Sequence, residues 1–244
     1  YATPVGLMGG EPYRIMELTP YVGASKATSS VILYVMMHIF SHFCFWFFSI
    51  FLYLALRPVD IAMGTILAVV GAVSLLAIYF FMKGYKNGMA VRTLKLLQHI
   101  PFVKEWAKRF SENKREALER VDSQIAELHK QRRSTFYASL SLEFMARIIG
   151  CLEVYFILNI LTTDVSFPAC ILIMAFTSLF ANLFFFSPMQ LGAREGGFAL
   201  AVGGLAIPGA FGVYTGLITR VRELIWIVIG VLLMKVGNGT PANK

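Results

Sequence analysis

The sequence predicts an all-α fold, a polytopic integral membrane helix bundle with two broken, re-entrant helices. Three observations carry that prediction. Apolar residues make up 57% of the 244 and the mean hydropathy is +0.66, above the ~45–50% apolar content of an ordinary soluble domain. Two stretches of 26 and 22 residues contain no Lys, Arg, Asp or Glu, each at least as long as the ~20 residues that cross a bilayer. Finally, proline, glycine and charge are concentrated together at two places in this apolar chain.

The first of those places is Thr3-Pro4-Val5-Gly6-Leu7-Met8-Gly9-Gly10-Glu11-Pro12, and the second is Ser187-Pro188-Met189-Gln190-Leu191-Gly192-Ala193-Arg194-Glu195-Gly196-Gly197. In each, a hydroxyl residue precedes a proline, a leucine follows that proline by three (Leu7, Leu191) and a glutamate by seven (Glu11, Glu195). Proline removes a helical donor and glycine permits a tight turn, so each place predicts a chain break followed by a new helix. The breaks are assigned to Pro4, Gly9 and Gly10, and to Pro188, Gly192 and Gly196. Broken backbone at membrane depth is tolerated only where protein buries it or it lines a wet cavity. Matching interruptions in two halves are the sequence pointer to a transporter binding site. The expected organisation is one membrane domain over 1–244, incomplete at its N-terminus, with re-entrant motifs at 1–22 and 187–220.

Taken in order, Glu11-Pro12 starts a short helix that should end at Pro20, with Arg14 on the face of Glu11. Val31 to Leu56 and Ile61 to Met82 are the uncharged spans, separated by Arg57 and Asp60. Residues 83–133 hold thirteen Lys/Arg against six Asp/Glu, a net +7 out of the chain's formal +8. The positive-inside rule makes that loop cytoplasmic. Trp106, Phe110, Leu118, Val121, Ile125 and Leu128 recur within it at helical spacing, predicting an amphipathic helix after Pro101 that lies on the membrane surface or caps the bundle. Its charges are mixed in sign, so no nucleic-acid partner is expected.

Ser134 to Leu161 is a third span, bearing Glu143, Arg147 and Glu153, and Phe167 to Phe186 is a fourth. The last crossing must begin near Pro208 or Gly209, which sets Arg220, Arg222 and Glu223 near its middle. Small residues at fourfold spacing (Ala193, Gly197, Ala201; Gly212, Gly216) predict close helix contacts. Counting crossings from a cytoplasmic 83–133 loop brings both broken elements in from the same face, whereas an inverted repeat requires opposite faces.

Ionisable groups at membrane depth are costly unless paired or wetted. Glu143 and Arg147 are spaced to pair on one helix, as are Arg220 and Glu223. Such pairs either hold the bundle together or line a polar chamber. In the second case, Arg14, Arg147 and Arg220 would engage phosphate, and Glu11 and Glu195 a cationic headgroup or the helix ends. Glu143 and Glu223 complete the candidate headgroup-binding set. His38 and His42, one turn apart, supply two of the ligands a metal needs and are read instead as polar packing. Cys44, Cys151 and Cys170 lie in apolar runs and read as small buried hydrophobes. No nucleophile with its base and no phosphate loop is visible, and neither cofactor nor metal is expected.

The residues Thr3-Pro4…Gly9-Gly10-Glu11-Pro12-Tyr13-Arg14, the charged loop, and Ser187-Pro188…Leu191-Gly192…Glu195-Gly196-Gly197 followed by Arg220 resemble the flippase-like family named after the membrane region of lysylphosphatidylglycerol synthase. The resemblance implies a multi-pass protein of a bacterial plasma (inner) membrane that moves a phospholipid or lipid-linked headgroup between leaflets. It also implies further spans upstream. No soluble aminoacyl-transfer domain follows Met234 in the residues at hand, so lipid aminoacylation rests on the family alone and enzymatic activity stays open. The alternative is a membrane subunit of an aminoacyl- or glycosyl-transfer system, partnered by a transferase; a homo-oligomer is compatible with both. A third reading is a proton- or ion-coupled carrier of small solutes.

Overall fold

The computed structural model describes residues 10–87, 123, 133–162, 165–184 and 190–237. Among these there are α-helices and no strand. They are α1 (Glu11–Val22), α2 (Ala24–Leu56), α3 (Ile61–Asn87), α4 (Arg133–Leu161), α5 (Phe167–Leu183), α6 (Ala193–Gly203) and α7 (Gly209–Gly237). The chain is an all-α membrane helix bundle. Ala24–Leu56, Ile61–Lys83 and Ser134–Leu161 are long and apolar enough to cross a bilayer. The chain divides into two compact units, with Ile149 and Gly150 of α4 at the boundary.

In the unit from Gly10 to Ile149, α1 does not stop at Pro20 as the sequence suggested but runs two residues further, to Val22. A proline this close to a helix end forfeits one hydrogen bond, and the actual stop is Gly23, at φ 82°, whose N–H donates to the Thr19 carbonyl at 2.9 Å. Helix α2 starts immediately afterwards, seven residues earlier than the uncharged run, so Lys26 is inside it. Helix α3 is capped by Asp60, whose Oδ1 accepts the Met63 N–H at 2.8 Å. Met37 and Phe40 of α2 pack with Phe81 of α3 and Phe136 of α4; the rings of Phe40 and Phe81 stack with centroids 4.3 Å apart. Outward positions such as Phe51, Leu54, Ile66, Val69 and Val73 are exposed, as surfaces facing lipid are.

In the unit from Gly150 onward, Asn159 ties the α4–α5 connection, donating to the carbonyls of Tyr155 and Val165 and accepting the Val165 N–H. Ser166 caps α5. The core joins Val154, Leu158, Cys170, Ile173, Phe198 and Val202. Helix α5 has 17 residues and α6 has 11, so α6 is about 16 Å long, roughly half a hydrocarbon layer. The turn after α6, with Ala206 at φ 62°, ends at Pro208. Helix α7 then starts at Gly209, where the sequence placed it, with Glu223 near its centre.

The expected small-residue contacts are present. A Cβ on Gly212 would stand 2.5 Å from the Phe198 carbonyl oxygen and 2.7 Å from Ala199 Cα; one on Gly216 would lie 3.2 Å from Glu195 Cα, and one on Gly197 3.3 Å from Thr177 Cα. At Gly212 no Cβ fits, and at Gly197 and Gly216 one fits only if its neighbour gives by a few tenths of an ångström, so α6 lies directly against α5 and α7.

Candidate functional site

Charged and polar side chains gather in each unit, and the second unit holds the denser set. Residues 190–192, just before α6, are not α-helical. Gln190 has φ 53° and Gly192 φ 80°, the second a conformation that glycine adopts without penalty. Arg220 of α7 fastens this segment from two directions. Its Nε donates to Glu195 Oε1 at 2.6 Å, and its Nη2 donates to the Gln190 carbonyl at 3.0 Å. The other carboxylate oxygen, Oε2, accepts the Gly192 N–H at 2.9 Å. Glu195 therefore caps its own helix and neutralises a guanidinium, with the two side chains only 15% and 12% exposed.

Two further ion pairs adjoin. Arg194, in the first turn of α6, donates through Nη1 to Glu223 Oε1 of α7. Arg222 of α7 meets Glu153 of α4 at 2.9 Å. Three arginines thus face three glutamates across α4, α6 and α7. Each of these charges has its counterpart within the protein, which lowers the cost of holding it among apolar helices.

In the first unit the centre is Arg147. It donates from Nε to Ser41 Oγ at 2.7 Å and from Nη2 to the His38 carbonyl at 2.9 Å, and its Nη1 and Nη2 lie 3.1 and 3.4 Å from the Nδ1 atoms of His42 and His38. Glu143 Oε2 lies 3.5 Å from the same His38 Nδ1. Arg14 of α1 sits over the Tyr34 ring, 4.8 Å from its centroid, and that ring stacks on His38.

Of the sequence-predicted residues, Glu195, Arg220 and Gly192 come together as one arrangement. Glu223 joins it through Arg194, a residue that the sequence offered only as the neighbour of Glu195. Glu143 and Arg147 share the His38 cluster, and Glu11 sits in the first turn of α1 with Gly10 as its cap. Gly196 is a correction: it lies inside α6, not at the break. Glycine allows a turn without demanding one, and the turn is made four to six residues earlier, at Gln190 to Gly192. Pro4, Gly9 and Pro188 lie outside the described residues, as does the predicted amphipathic helix apart from Ser123; Lys83 to Asn87 of the expected loop belong to α3. Glu153, Arg222 and Gln190 lie outside the site set that the sequence predicts. The signal for the first two was their charge inside apolar runs, while Gln190 contributes a backbone carbonyl that no side-chain pattern marks.

The family model described as the lysylphosphatidylglycerol synthase TM region matches residues 1–230. The chain belongs to that family. No curated protein and no solved structure matches it. As a member of the lysylphosphatidylglycerol synthase TM region family, it is a membrane protein tied by that family to lipid modification.

Proposed function

We propose that the chain carries a phospholipid or lipid-linked headgroup across a bacterial plasma membrane, with residues 83–133 on the cytoplasmic side. The observation that supports this best is the clasp of Arg220 on Glu195 and the Gln190 carbonyl at a helix start. A headgroup phosphate matches the Arg220 fork and a headgroup amine matches the Glu195 carboxylate. A headgroup that supplies both at once would replace the pair without leaving either buried charge alone. Arg14, exposed beside Tyr34, suits a first contact with phosphate, and Glu11 one with an amine. Arg147 is better read as a tie between α4 and α2, since its N–H groups point at four acceptors of α2.

The test is translocation of headgroup-labelled lipid in proteoliposomes. Glu195→Gln and Arg220→Ala are each expected to slow it at least about tenfold, the loss of roughly 1.4 kcal/mol of interaction. Wild-type rates in both variants overturn the assignment. A second reading, a membrane subunit serving a transferase, is favoured by the family's description as part of a synthase. Copurification of a soluble transferase, with no translocation by the chain alone, selects it.

A further inference from the structure

In the unit from Gly10 to Ile149, one nitrogen has two incompatible partners. His38 Nδ1 is 3.4 Å from Arg147 Nη2, which can only donate, and 3.5 Å from Glu143 Oε2, which as a carboxylate can only accept. With the ring neutral and its proton on Nε2, Nδ1 can accept from Arg147 and has nothing to offer Glu143. With the ring protonated, Nδ1 can donate to Glu143 and no longer accepts from Arg147. Arg147 keeps Ser41 Oγ, His42 Nδ1 and the His38 carbonyl in either case, so the guanidinium is held while the imidazole changes partner.

We propose that His38, with Glu143 and Arg147, forms a proton-binding site between α2 and α4, in which the imidazole exchanges Arg147 for Glu143 when a proton adds to Nδ1. A hydronium ion gives its proton to the Nδ1 lone pair and leaves as water, the N–H bond forms, and the cluster gains one positive charge. Every neighbouring charge bears on that gain. On α4, Arg147 opposes it and Glu143 favours it; on α2, His42 stands edge-on to His38 with centroids 5.3 Å apart. Helix α1 brings Arg14, over Tyr34, and Lys83 of α3 is bonded to Tyr79 of its own helix. Ionisable chains of this composition within membrane helices are the means by which proton movement is coupled to other work. The site stands in the first unit and does not depend on the lipid reading of the second.

Nitrogen-15 NMR of histidine-labelled protein in lipid nanodiscs tests it, with signals assigned by single substitutions of His38, His42, His99 and His129 to Gln. Above about pH 8, His38 is expected as the Nε2–H tautomer, passing to the imidazolium form as the pH falls towards about 4. Glu143→Gln should lower the midpoint by about one pH unit or more, because an opposite charge within hydrogen-bond range is removed. Glu143→Asp keeps the charge at a greater distance and should fall between the two. A ring that stays neutral throughout, a midpoint unmoved by Glu143→Gln, or a neutral ring carrying its proton on Nδ1 would each overturn the proposal.

Discussion

Arg220 and Glu195 lie 2.6 Å apart, on helices that the chain separates by the turn between Gly203 and Pro208, and both are mostly buried. The bond closes a loop of dependence: the carboxylate that receives Arg220 also caps the helix whose start Arg220 holds through the Gln190 carbonyl. Removing the guanidinium leaves a buried carboxylate and a carbonyl without it. Arg220→Ala is therefore expected to destabilise the folded protein by about 3 kcal/mol. Arg220→Lys, which keeps the charge without the planar fork, should cost less. Chemical unfolding in detergent micelles gives the comparison; equal losses for Ala and Lys would show that the charge without the fork contributes nothing here.

The Arg194–Glu223 pair should be worth much less, although it bridges the same two helices. Glu223 is 38% exposed and Arg194 20%, and water screens such a pair. A double-mutant cycle with Arg194→Ala and Glu223→Ala is expected to give a coupling of about 0.5 kcal/mol. A coupling equal to that of Arg220 with Glu195 would contradict the ordering drawn from burial.

Gly212 and Gly192 predict losses of different origin. At Gly212 a methyl group collides with the Phe198 and Ala199 backbone, which cannot rotate away, so Gly212→Ala should cost about 1–3 kcal/mol by pushing α6 from α7. At Gly192 nothing lies within 4 Å of an added Cβ; the cost, of order 1–3 kcal/mol, comes from φ 80° alone. Cross-linking of paired cysteines on α6 and α7 separates the two: it should weaken in Gly212→Ala and persist in Gly192→Ala.

Thr177 offers the opposite sign. Its Oγ1 is buried with no hydrogen-bond partner among the described residues, whereas its methyl packs beside Gly197. Thr177→Val retains the shape and removes a desolvated hydroxyl, so the melting temperature should hold or rise. A clear drop would reveal a partner for that oxygen.

Much of the architecture was legible in the residues by themselves. The apolar runs announce α2, α3 and α4, the glycine and proline clusters announce the chain break near Gly192, and the arithmetic of bilayer thickness placed the start of α7 at Gly209 with its charges at the centre. These are properties of consecutive residues, so they survive without knowledge of any neighbour. Spacings of three and four suggested Glu143 with Arg147 and Arg220 with Glu223, pairs within one helix. The folded chain shows Glu143 at His38, Arg220 at Glu195 and Glu223 at Arg194, partners on other helices that spacing along one helix does not reveal. Which charge meets which depends on how far backbones approach and how each helix is rotated about its axis, and here glycines at 197, 212 and 216 set the approach. Hydropathy and spacing decide that helices form and where they stop; only packing decides which of their polar groups face one another, because that choice minimises buried unpaired charge over the assembled helices rather than along any one of them.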